Sequence, residues 1–305
     1  MAIDVSIALA TYNGSRYINE LLNSIKLQTY NNFIIHVCDD GSSDNTLELL
    51  HQHPLHNEGR LIVHDVTGGQ GALKNFKRSL SYCDTDYICL CDQDDYWMPD
   101  KLETLLSIMK DKENEIGEPV LVFSDLEVVD STLNCIHKSF FRISNKSNQC
   151  SNPEDFLISN HIPGCVMMFN RSLKNLFDPI PDDVRMHDWW IALIAAYYGN
   201  IFYVNKPLIK YRQHGGNVVG ASGMFKQEGI TLAMIRNIPE LLRRNKVITS
   251  RFVERFNNLA NPTVKNEKFL SLVLGKITYK ERLSLLKKVK SGESKYLTYL
   301  VWWFI

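Results

Sequence analysis

The sequence predicts an α/β fold in which a mostly parallel sheet is covered by helices on both faces. In the first half of the chain, short β-branched runs alternate four times with segments whose apolar residues recur at helical spacing. The runs are almost continuously apolar, as is typical of strands buried on both faces. Alternation of this kind favours parallel strands joined by crossover helices.

The predicted strands and helices of this half follow one another in a regular order. The strands are predicted at residues 5–9, 33–38, 61–64 and 87–91. Helical spacing follows each strand, beginning near Ile18, Leu47, Ala72 and Pro99. Proline favours the first position of a helix, and Asp44 is placed to cap the second one.

From Val120 the pattern becomes mixed, and beyond Gly223 it is helical to the end of the chain. The strands of the mixed part are predicted at residues 121–123, 166–169, 201–204 and 208–211, and its helices at residues 155–158 and 188–198. We therefore divide the chain into one domain of residues 1–220 and a helical segment of residues 221–305.

The composition excludes several classes of protein. Hydrophobic residues make up 45% of the 305 residues and charged residues 22%, which is typical of a globular protein. Lys plus Arg and Asp plus Glu both number 34, so no overall positive field favours nucleic acid. No apolar run is long enough to span a bilayer, and the first one lacks the preceding basic residues of a secretion signal. We expect a cytoplasmic protein that does not bind nucleic acid.

The seven cysteines are odd in number, scattered and mostly set in apolar runs. This pattern is typical of buried thiols in a reducing compartment. Cys89 and Cys91 would share one face of a strand. Because no second pair of Cys or His stands near them, two core thiols are favoured over metal ligands.

Carboxylates are concentrated where predicted strands end. Asp92, Asp94 and Asp95 follow the fourth strand, and in parallel sheets ligands bind beyond the carboxyl ends of the strands. Such crowding of like charges is costly without a counter-ion, which a hard divalent cation would supply; a solvated loop is the alternative. The turn at Asp39 and Asp40 has two interpretations as well, namely local turn formation or acceptance of the imide N–H of a pyrimidine base.

Three further segments carry residues whose types are suited to ligand binding or catalysis. The glycine-rich loop of residues 68–71 precedes a helix and would offer backbone amides to a phosphate. Lys74 and Asn75, in the first turn of that helix, either face a diphosphate or lie on open surface. Asp188 begins a strongly apolar helix, where it acts either as a cap or as a general base. Residues 212–216 end the mixed part of the chain, and an ordinary turn is the simplest interpretation of this segment.

Taken in order along the chain, these motifs resemble those of the family 2 glycosyltransferases, inverting enzymes of the GT-A fold. The similar segments are Ala10-Thr11-Tyr12-Asn13-Gly14, Cys38-Asp39-Asp40-Gly41-Ser42, Cys91-Asp92-Gln93-Asp94-Asp95, Met98-Pro99-Asp100-Lys101-Leu102, His187-Asp188-Trp189-Trp190 and Tyr211-Arg212-Gln213-His214-Gly215. The resemblance runs from Val5 to about Gly220. It implies the GT-A nucleotide-diphospho-sugar transferase fold, a mostly parallel Rossmann-like sheet flanked by helices, followed by a C-terminal helical segment.

The resemblance also implies a role for individual residues. Asp188 would be the catalytic base, although His187 stands where the family often has Glu. Asp94 and His214 would hold Mg2+ or Mn2+. The residues that would bind the nucleotide are Thr11, Tyr12, Asn13, Asp40, Lys74, Asn75 and Asp92. The residues that would shape the loop for donor and acceptor are Gly164, Cys165 and Trp189.

The implied reaction is the transfer of one sugar from a nucleotide-diphosphate donor to a hydroxyl of a glycan or lipid-linked acceptor in bacterial surface polysaccharide synthesis. The segments around Asp188 and His214 also resemble the rhamnosyltransferase branch, which favours dTDP-L-rhamnose as the donor. A UDP-hexose or UDP-N-acetylhexosamine is the alternative, because uracil and thymine present the same imide edge to Asp40. A non-catalytic sugar-nucleotide-binding scaffold is the alternative from another class.

The last residues of the sequence have two interpretations. Residues 296–305 are aromatic and apolar, and Lys287, Lys288, Lys290 and Lys295 precede them. The segment is too short to span a bilayer but resembles an interfacial anchor, which would bring the protein to the inner face of the cell membrane. The alternative is a last helix packed on the domain.

Overall fold

The fold is taken from a computed structural model. It describes residues 3–215 except 67, 118, 145, 157 and 158, together with 243, 247, 248 and 250–255. Within these residues nine strands form one sheet. The sheet passes through the middle of the domain, with helices packed on it and the apolar core between them.

The first half of the chain forms four parallel strands with helices between them. The strands are β1 (Val5–Thr11), β2 (Phe33–Asp39), β3 (Leu61–Val66) and β4 (Tyr87–Asp92). The helices are α1 (Ile18–Lys26), α2 (Thr46–Gln52), α3 (Pro54–Asn57) and α4 (Ala72–Ser81). The strands lie in the order β3-β2-β1-β4, and every neighbouring pair is parallel. The predicted alternation is therefore confirmed.

The second half completes the sheet with strands of both directions. Its strands are β5 (Tyr96–Trp97), β6 (Val120–Val129), β7 (Cys135–His137), β8 (Met167–Asn170) and β9 (Asn200–Arg212). Its helices are α5 (Lys101–Ile116), α6 (Phe140–Ile143), α7 (Arg171–Phe177) and α8 (His187–Tyr198). Strand β8 joins β4 to β6 and is antiparallel to both, whereas β9 is parallel to β6. Strand β5 pairs antiparallel with the far side of β9.

Three predicted boundaries are wrong in detail. The strands expected at residues 201–204 and 208–211 form the single strand β9, because Pro207 lies at a shift in register against β6 where its missing N–H is tolerated. Of the helix expected at residues 155–158, the described part belongs to a 3-10 turn over Pro153–Phe156, and residues 157 and 158 lie outside the described residues. The helix expected to open at Pro99 begins at Lys101, two residues later.

Asp44 contributes to the start of α2 without occupying its N-cap position. That position belongs to Asn45, whose side chain makes no capping bond. The carboxylate of Asp44 instead accepts the backbone N–H of Thr46 at 3.1 Å, and it also accepts the N–H of Ser15 at 3.1 Å. The expected cap therefore also ties α2 to the loop after β1.

The cysteines follow the predicted pattern of buried thiols. All seven lie within the described residues, and none forms a disulfide. The thiols of Cys89 and Cys91 are fully buried in the core beside other apolar side chains. Cys135, in β7, is the exposed member of the set.

Most of the predicted C-terminal segment, and all of residues 296–305, lie outside the described residues. The described helical residues 250–255 pack on the domain: Phe252 is buried, and its ring lies 4.8 Å from that of Tyr197 in α8. Arg255 donates to the carbonyl of Leu176 in α7 at 2.7 Å. Among the described helices, none combines the length and the apolar character needed to cross a bilayer.

Candidate active site

The carboxyl ends of β1 and β2 are joined through one buried carboxylate. Asp39 accepts the hydroxyl of Thr11 at 2.6 Å, the N–H of Gly41 at 3.0 Å and both the N–H and the hydroxyl of Ser42 at 2.7 Å. Because its oxygens accept four hydrogen bonds, Asp39 builds the turn after β2. The side chain of Thr11 is committed to that turn and is buried.

Asp40 fixes the glycine-rich loop over this turn. One of its carboxylate oxygens accepts the N–H of Gln70 at 2.9 Å, and the other accepts the N–H of Gly71 at 2.8 Å. Gly41 has φ +81°, and a Cβ placed on it would lie 2.6 Å from the Cα of Gly68. A residue with a side chain at position 41 would therefore push the loop away from Asp40. The role of Asp40 in binding a base stays a prediction.

The loop after β1 is tied to the loop after β4 by one side chain. The carboxamide of Gln93 accepts the N–H of Tyr12 and donates to the carbonyl of Tyr12, both at 2.9 Å. Tyr12 is 56% exposed, so its ring lies at the surface rather than in the core. Gly14 leaves room for this contact, because a Cβ there would lie 2.3 Å from Oε1 of Gln93.

Asn13 links the same loop to the turn after β2. Its backbone, at φ 48°, lies in the left-handed region that asparagine tolerates better than most residues. Its N–H donates to the hydroxyl of Ser42 at 2.8 Å, and its side-chain oxygen accepts the N–H of Ser43 at 2.8 Å. These bonds fix Asn13 and thereby restrict the position of the preceding residue, Tyr12.

Two of the residues predicted to touch the nucleotide have side chains that bond within the protein, and their contact with a nucleotide stays a prediction. Asn75 is buried and donates to the carbonyl of Thr11 at 3.0 Å, while its oxygen accepts Arg78 at 2.7 Å. The polar groups of Thr11 and Asn75 are thus used inside the protein, where they support β1. Lys74 is exposed on α4, and its ammonium lies 3.4 Å from Oε1 of Gln70 in the glycine-rich loop.

The acidic residues after β4 form a crowded cluster. Asp95 is fully buried, and its carboxylate lies with the carboxylate of Asp92 and the thiol of Cys165 in a group whose polar atoms are all within 4.8 Å of one another. Burial, followed by the charges of Asp94 and Asp188, raises the pKa of Asp92 to about 7. Negative charge at this edge is therefore poorly compensated.

One buried ammonium group lies beneath the cluster. Lys101, the first residue of α5, is fully buried; its Nζ donates to the carbonyl of Cys165 at 2.8 Å and lies 3.3 Å from the centroid of the Trp97 ring. This ammonium group faces several carboxylates, so the edge would be stabilised by a further positive charge. The side chain of Cys165 faces this interior.

The residues expected to hold a metal lie together. Nε2 of His214 is 2.8 Å from Oδ2 of Asp94, and both side chains remain partly exposed, at 18% and 15%. Carboxylate oxygens are the ligands that Mg2+ and Mn2+ prefer. The negative charge of the buried carboxylates is not fully compensated, and the accessible Asp94–His214 pair lies beside them. Together these groups fit a divalent cation at this edge.

Asp188 lies at the start of α8, next to the acidic cluster. The N-cap of α8 is Met186, so Asp188 is the second residue of the helix. Its carboxylate accepts the N–H of Trp189 at 2.7 Å, the N–H of Gly164 and the side chain of Asn160. Burial raises the pKa of Asp188 to about 6.

Gly164 and His187 shape the pocket of Asp188. A Cβ on Gly164 would lie 3.3 Å from both the Cβ of Asp188 and Nε2 of His187, so glycine permits the close approach of the two segments. His187 is buried and stacks on Phe76 with ring centroids 3.9 Å apart. Burial lowers the pKa of His187 to about 3, so the ring is neutral at physiological pH.

Trp189 lies next to Asp188, and its role beside the acceptor stays a prediction. It is buried, and its indole donates to the carbonyl of Phe156 at 2.5 Å. The backbone N–H groups of Trp189 and Gly164 both donate to the carboxylate of Asp188, whereas the thiol of Cys165 lies with the carboxylates of Asp92 and Asp95. Sequence reasoning also did not single out Gln93, although its place between two aspartates was a signal that it lies at the site.

Two solved structures share this fold. TarS of S. aureus in complex with UDP superimposes with a TM-score of 0.58 at 16% identity, over 98% of this chain and 87% of that one. The mannosyltransferase PcManGT from Pyrobaculum calidifontis, in complex with GDP-Man and Mn2+, does so with a TM-score of 0.52 at 16% identity, over 97% and 74%. The likeness to these structures shows that the chain has the GT-A fold.

Sequence similarity is more specific. The family model described as Glycosyl transferase family 2 matches residues 6–177. The dTDP-rhamnosyl transferase RfbG of Shigella flexneri is 30% identical over 241 residues, which cover 75% of this chain and 79% of that protein. The UDP-Glc:alpha-D-GlcNAc-diphosphoundecaprenol beta-1,3-glucosyltransferase WfgD of Escherichia coli is 28% identical over 227 residues, covering 73% and 81%. The chain belongs to glycosyl transferase family 2.

Proposed function

We propose that the protein transfers one sugar from a nucleoside diphosphate sugar to an acceptor hydroxyl with inversion at the anomeric carbon. The observation that carries the proposal is that Asp188 lies against Gly164, whose neighbour Cys165 is grouped with the carboxylates of Asp92 and Asp95. The charge of Asp188 also contributes to the raised pKa of Asp92. A carboxylate suited to accept a proton and a cluster suited to a cation thus share one site. The raised pKa of Asp188, about 6, suits a general base near neutral pH.

Each residue of the site has a task in this reaction. Asp188 accepts the proton of the acceptor hydroxyl as the oxygen attacks the sugar from the face opposite the leaving diphosphate. Gly164 and Asn160 hold the carboxylate of Asp188 in place through their hydrogen bonds. A divalent cation bound by Asp94 and His214, with Asp92 nearby, would neutralise the charge that develops on the leaving group.

The nucleotide is expected to lie across the loops after β1 and β2. Tyr12 presents an exposed ring to the base, and Asp40 lies at the edge where an imide N–H would be recognised. Lys74 extends from α4 beside the glycine-rich loop and would face the diphosphate. In this proposal Asn13 positions Tyr12 rather than touching the base itself.

The preferred donor is dTDP-L-rhamnose. The similarity to a dTDP-rhamnosyl transferase over most of both chains supports this choice. The similarity to a UDP-Glc-dependent glucosyltransferase supports a UDP-hexose as the second candidate. The name of that relative also supports a lipid-linked acceptor, in keeping with synthesis of a bacterial surface polysaccharide at the inner face of the membrane.

A donor panel tests the proposal directly. Purified protein is given dTDP-rhamnose, UDP-glucose and UDP-N-acetylglucosamine, each with Mg2+, Mn2+, Zn2+ or excess chelator, and release of the nucleoside diphosphate is measured. We expect release from dTDP-rhamnose with Mg2+ or Mn2+, and none with chelator. Full activity in chelator would exclude the metal, turnover of a UDP-sugar alone would exclude the rhamnosyl donor, and binding without turnover of any donor would favour the non-catalytic scaffold.

Membrane contact through residues 296–305 is a separate proposal. These residues lie outside the described part of the chain, so the proposal rests on their aromatic and basic sequence. Removal of the chain from Tyr296 onward should weaken binding to vesicles that contain anionic lipid, while nucleotide release from the donor stays unchanged. Equal vesicle binding by the full and shortened chains would exclude an anchor.

A further inference from the structure

Arg212, the last residue of β9, is a buried cation with contacts to several separate segments. It is 1% exposed. Its Nε donates to the carbonyl of Asp94 at 2.9 Å and its Nη1 to the carbonyl of Ser131 at 2.7 Å, while Nη2 pairs with the carboxylate of Glu20. The guanidinium also lies 4.4 Å from the ring centroid of Tyr17.

These contacts fix the guanidinium in one orientation. The group is planar and keeps its charge at all physiological pH values, so its donors have fixed relative directions. A buried charge is destabilising unless its hydrogen bonds are made. Glu20 and Ser131 thereby determine where Nε points, and Nε in turn determines where the carbonyl of Asp94 lies.

The carboxylate of Asp94 is held by a residue close to Arg212 in the sequence. His214 follows Arg212 by two residues and contacts Oδ2 of Asp94 at 2.8 Å. The ring of His214 lies 4.8 Å from that of Tyr17, so Tyr17 supports both side chains that hold Asp94. Residue 94 is thus held by its main chain and by its side chain at once.

We propose that Arg212 is a positioning residue that fixes Asp94 for cation binding, and that Glu20 influences cation affinity through Arg212. The inference rests on the proposed role of Asp94 as a metal ligand. Glu20 lies on α1 with its side chain 46% exposed, and it reaches Asp94 through the guanidinium. It is therefore a surface residue that changes the metal site without touching it.

The test uses direct binding of Mn2+ to the full chain, measured by the electron paramagnetic resonance signal of the free ion. Glu20→Ala and Arg212→Lys should each weaken Mn2+ binding by about 10-fold, the size typical of residues that orient a metal ligand. Glu103→Ala is the matched control, because Glu103 is likewise an exposed first-turn residue of a helix and accepts a hydrogen bond from Thr29 at 2.7 Å. It should bind Mn2+ as the wild type does.

Two further readouts separate positioning from general stability. The melting temperature of Glu20→Ala should lie below that of Glu103→Ala, because the buried guanidinium loses its carboxylate partner. Both variants should be folded at the assay temperature, and the Mn2+ concentration for half-maximal donor hydrolysis should rise in Glu20→Ala alone. Adding Glu20→Ala to Arg212→Lys should weaken Mn2+ binding little further, because both changes act on one contact. If Arg212→Lys does not fold, the difference in Mn2+ affinity between Glu20→Ala and Glu103→Ala decides whether the inference holds.

The outcomes distinguish this inference from the proposed function. Wild-type Mn2+ affinity in folded Glu20→Ala would overturn the inference and leave the function standing. A wild-type protein that binds Mn2+ but transfers no sugar would overturn the function, while the comparison of variants still decides the inference. A wild-type protein that binds no Mn2+ would overturn the metal assignment and the inference together.

Discussion

The aspartates of the site differ in task because they differ in hydrogen bonding. Asp39 accepts four bonds from neighbouring groups and so serves the turn, and Asp40 accepts two backbone amides and holds the glycine-rich loop. Asp188 is instead partly exposed, in surroundings whose desolvation raises its pKa to about 6. A carboxylate that binds a proton more readily than usual is suited to proton transfer rather than to structure.

Replacement of Asp188 by Asn tests this assignment. An amide cannot accept the acceptor's proton, so transfer should fall by at least roughly a hundredfold, while slow donor hydrolysis survives. Stability should change little, because the amide oxygen can still accept the N–H of Trp189. Asp111→Asn, on the exposed side of α5, is the control. Transfer at the wild-type rate in Asp188→Asn would exclude it as the base.

The pH dependence of transfer follows from the same pKa. Burial raises the pKa of Asp188 to about 6, so the protonated and inactive form persists to a higher pH than for an exposed aspartate. kcat/KM for transfer should therefore be level above pH 6 and fall about tenfold for each pH unit well below it. The residual transfer by Asp188→Asn should lack this fall. A wild-type profile that is flat down to pH 4.5 would contradict the assignment.

The contact between Gln93 and Tyr12 can be broken from either side. In Gly14→Ala the new Cβ would meet Oε1 of Gln93 at 2.3 Å and displace it, and Gln93→Ala removes the carboxamide outright. Both variants should raise the dissociation constant for the nucleoside diphosphate by about 10-fold, because the two hydrogen bonds that fix Tyr12 are lost. Isothermal titration calorimetry measures the effect. An unchanged constant in both variants would show that Tyr12 needs no such support.

At the scale of elements, the sequence predicted most strands and helices because apolar periodicity reflects burial. It could not predict that β9 runs through Pro207, since the bulge against β6 that accommodates the proline depends on a distant partner. It placed Thr11 and Asn75 near the carboxyl end of β1, where they bond to each other, but it could not predict the directions of their side chains. Whether a polar side chain faces a ligand or a neighbouring carbonyl depends on tertiary contacts that spacing does not encode.

The packing of residues 250–255 on the domain makes a testable contribution to stability. Phe252 is 1% exposed and contacts Tyr197 of α8. Phe252→Ala should therefore lower the free energy of unfolding by about 3–5 kcal/mol, measured by urea denaturation. Phe252→Leu, which keeps most of the apolar volume, should cost clearly less. An unchanged free energy in Phe252→Ala would show that this helix does not stabilise the domain.

For the molecule as a whole, the candidate site is formed mainly by loops that extend from one sheet. The loops proposed to bind the nucleotide and the cation follow β1, β2 and β4, His214 follows β9, and Asp188 lies in α8. The sheet therefore brings together residues that are far apart in sequence. For this reason motifs that are far apart in sequence meet at one edge of the sheet.

The exposure of Cys135 among otherwise buried thiols makes the molecule suited to selective chemical labelling. A maleimide dye should attach to the native protein once, on β7, and to the unfolded protein at all seven cysteines. A hydrogen bond with Glu127 raises the pKa of the Cys135 thiol, so labelling should be faster at mildly alkaline pH. Mass spectrometry counts the attached dyes, and more than one in the native state would contradict the burial of the other thiols. The labelled protein would then report by fluorescence on tumbling and on attachment to vesicles.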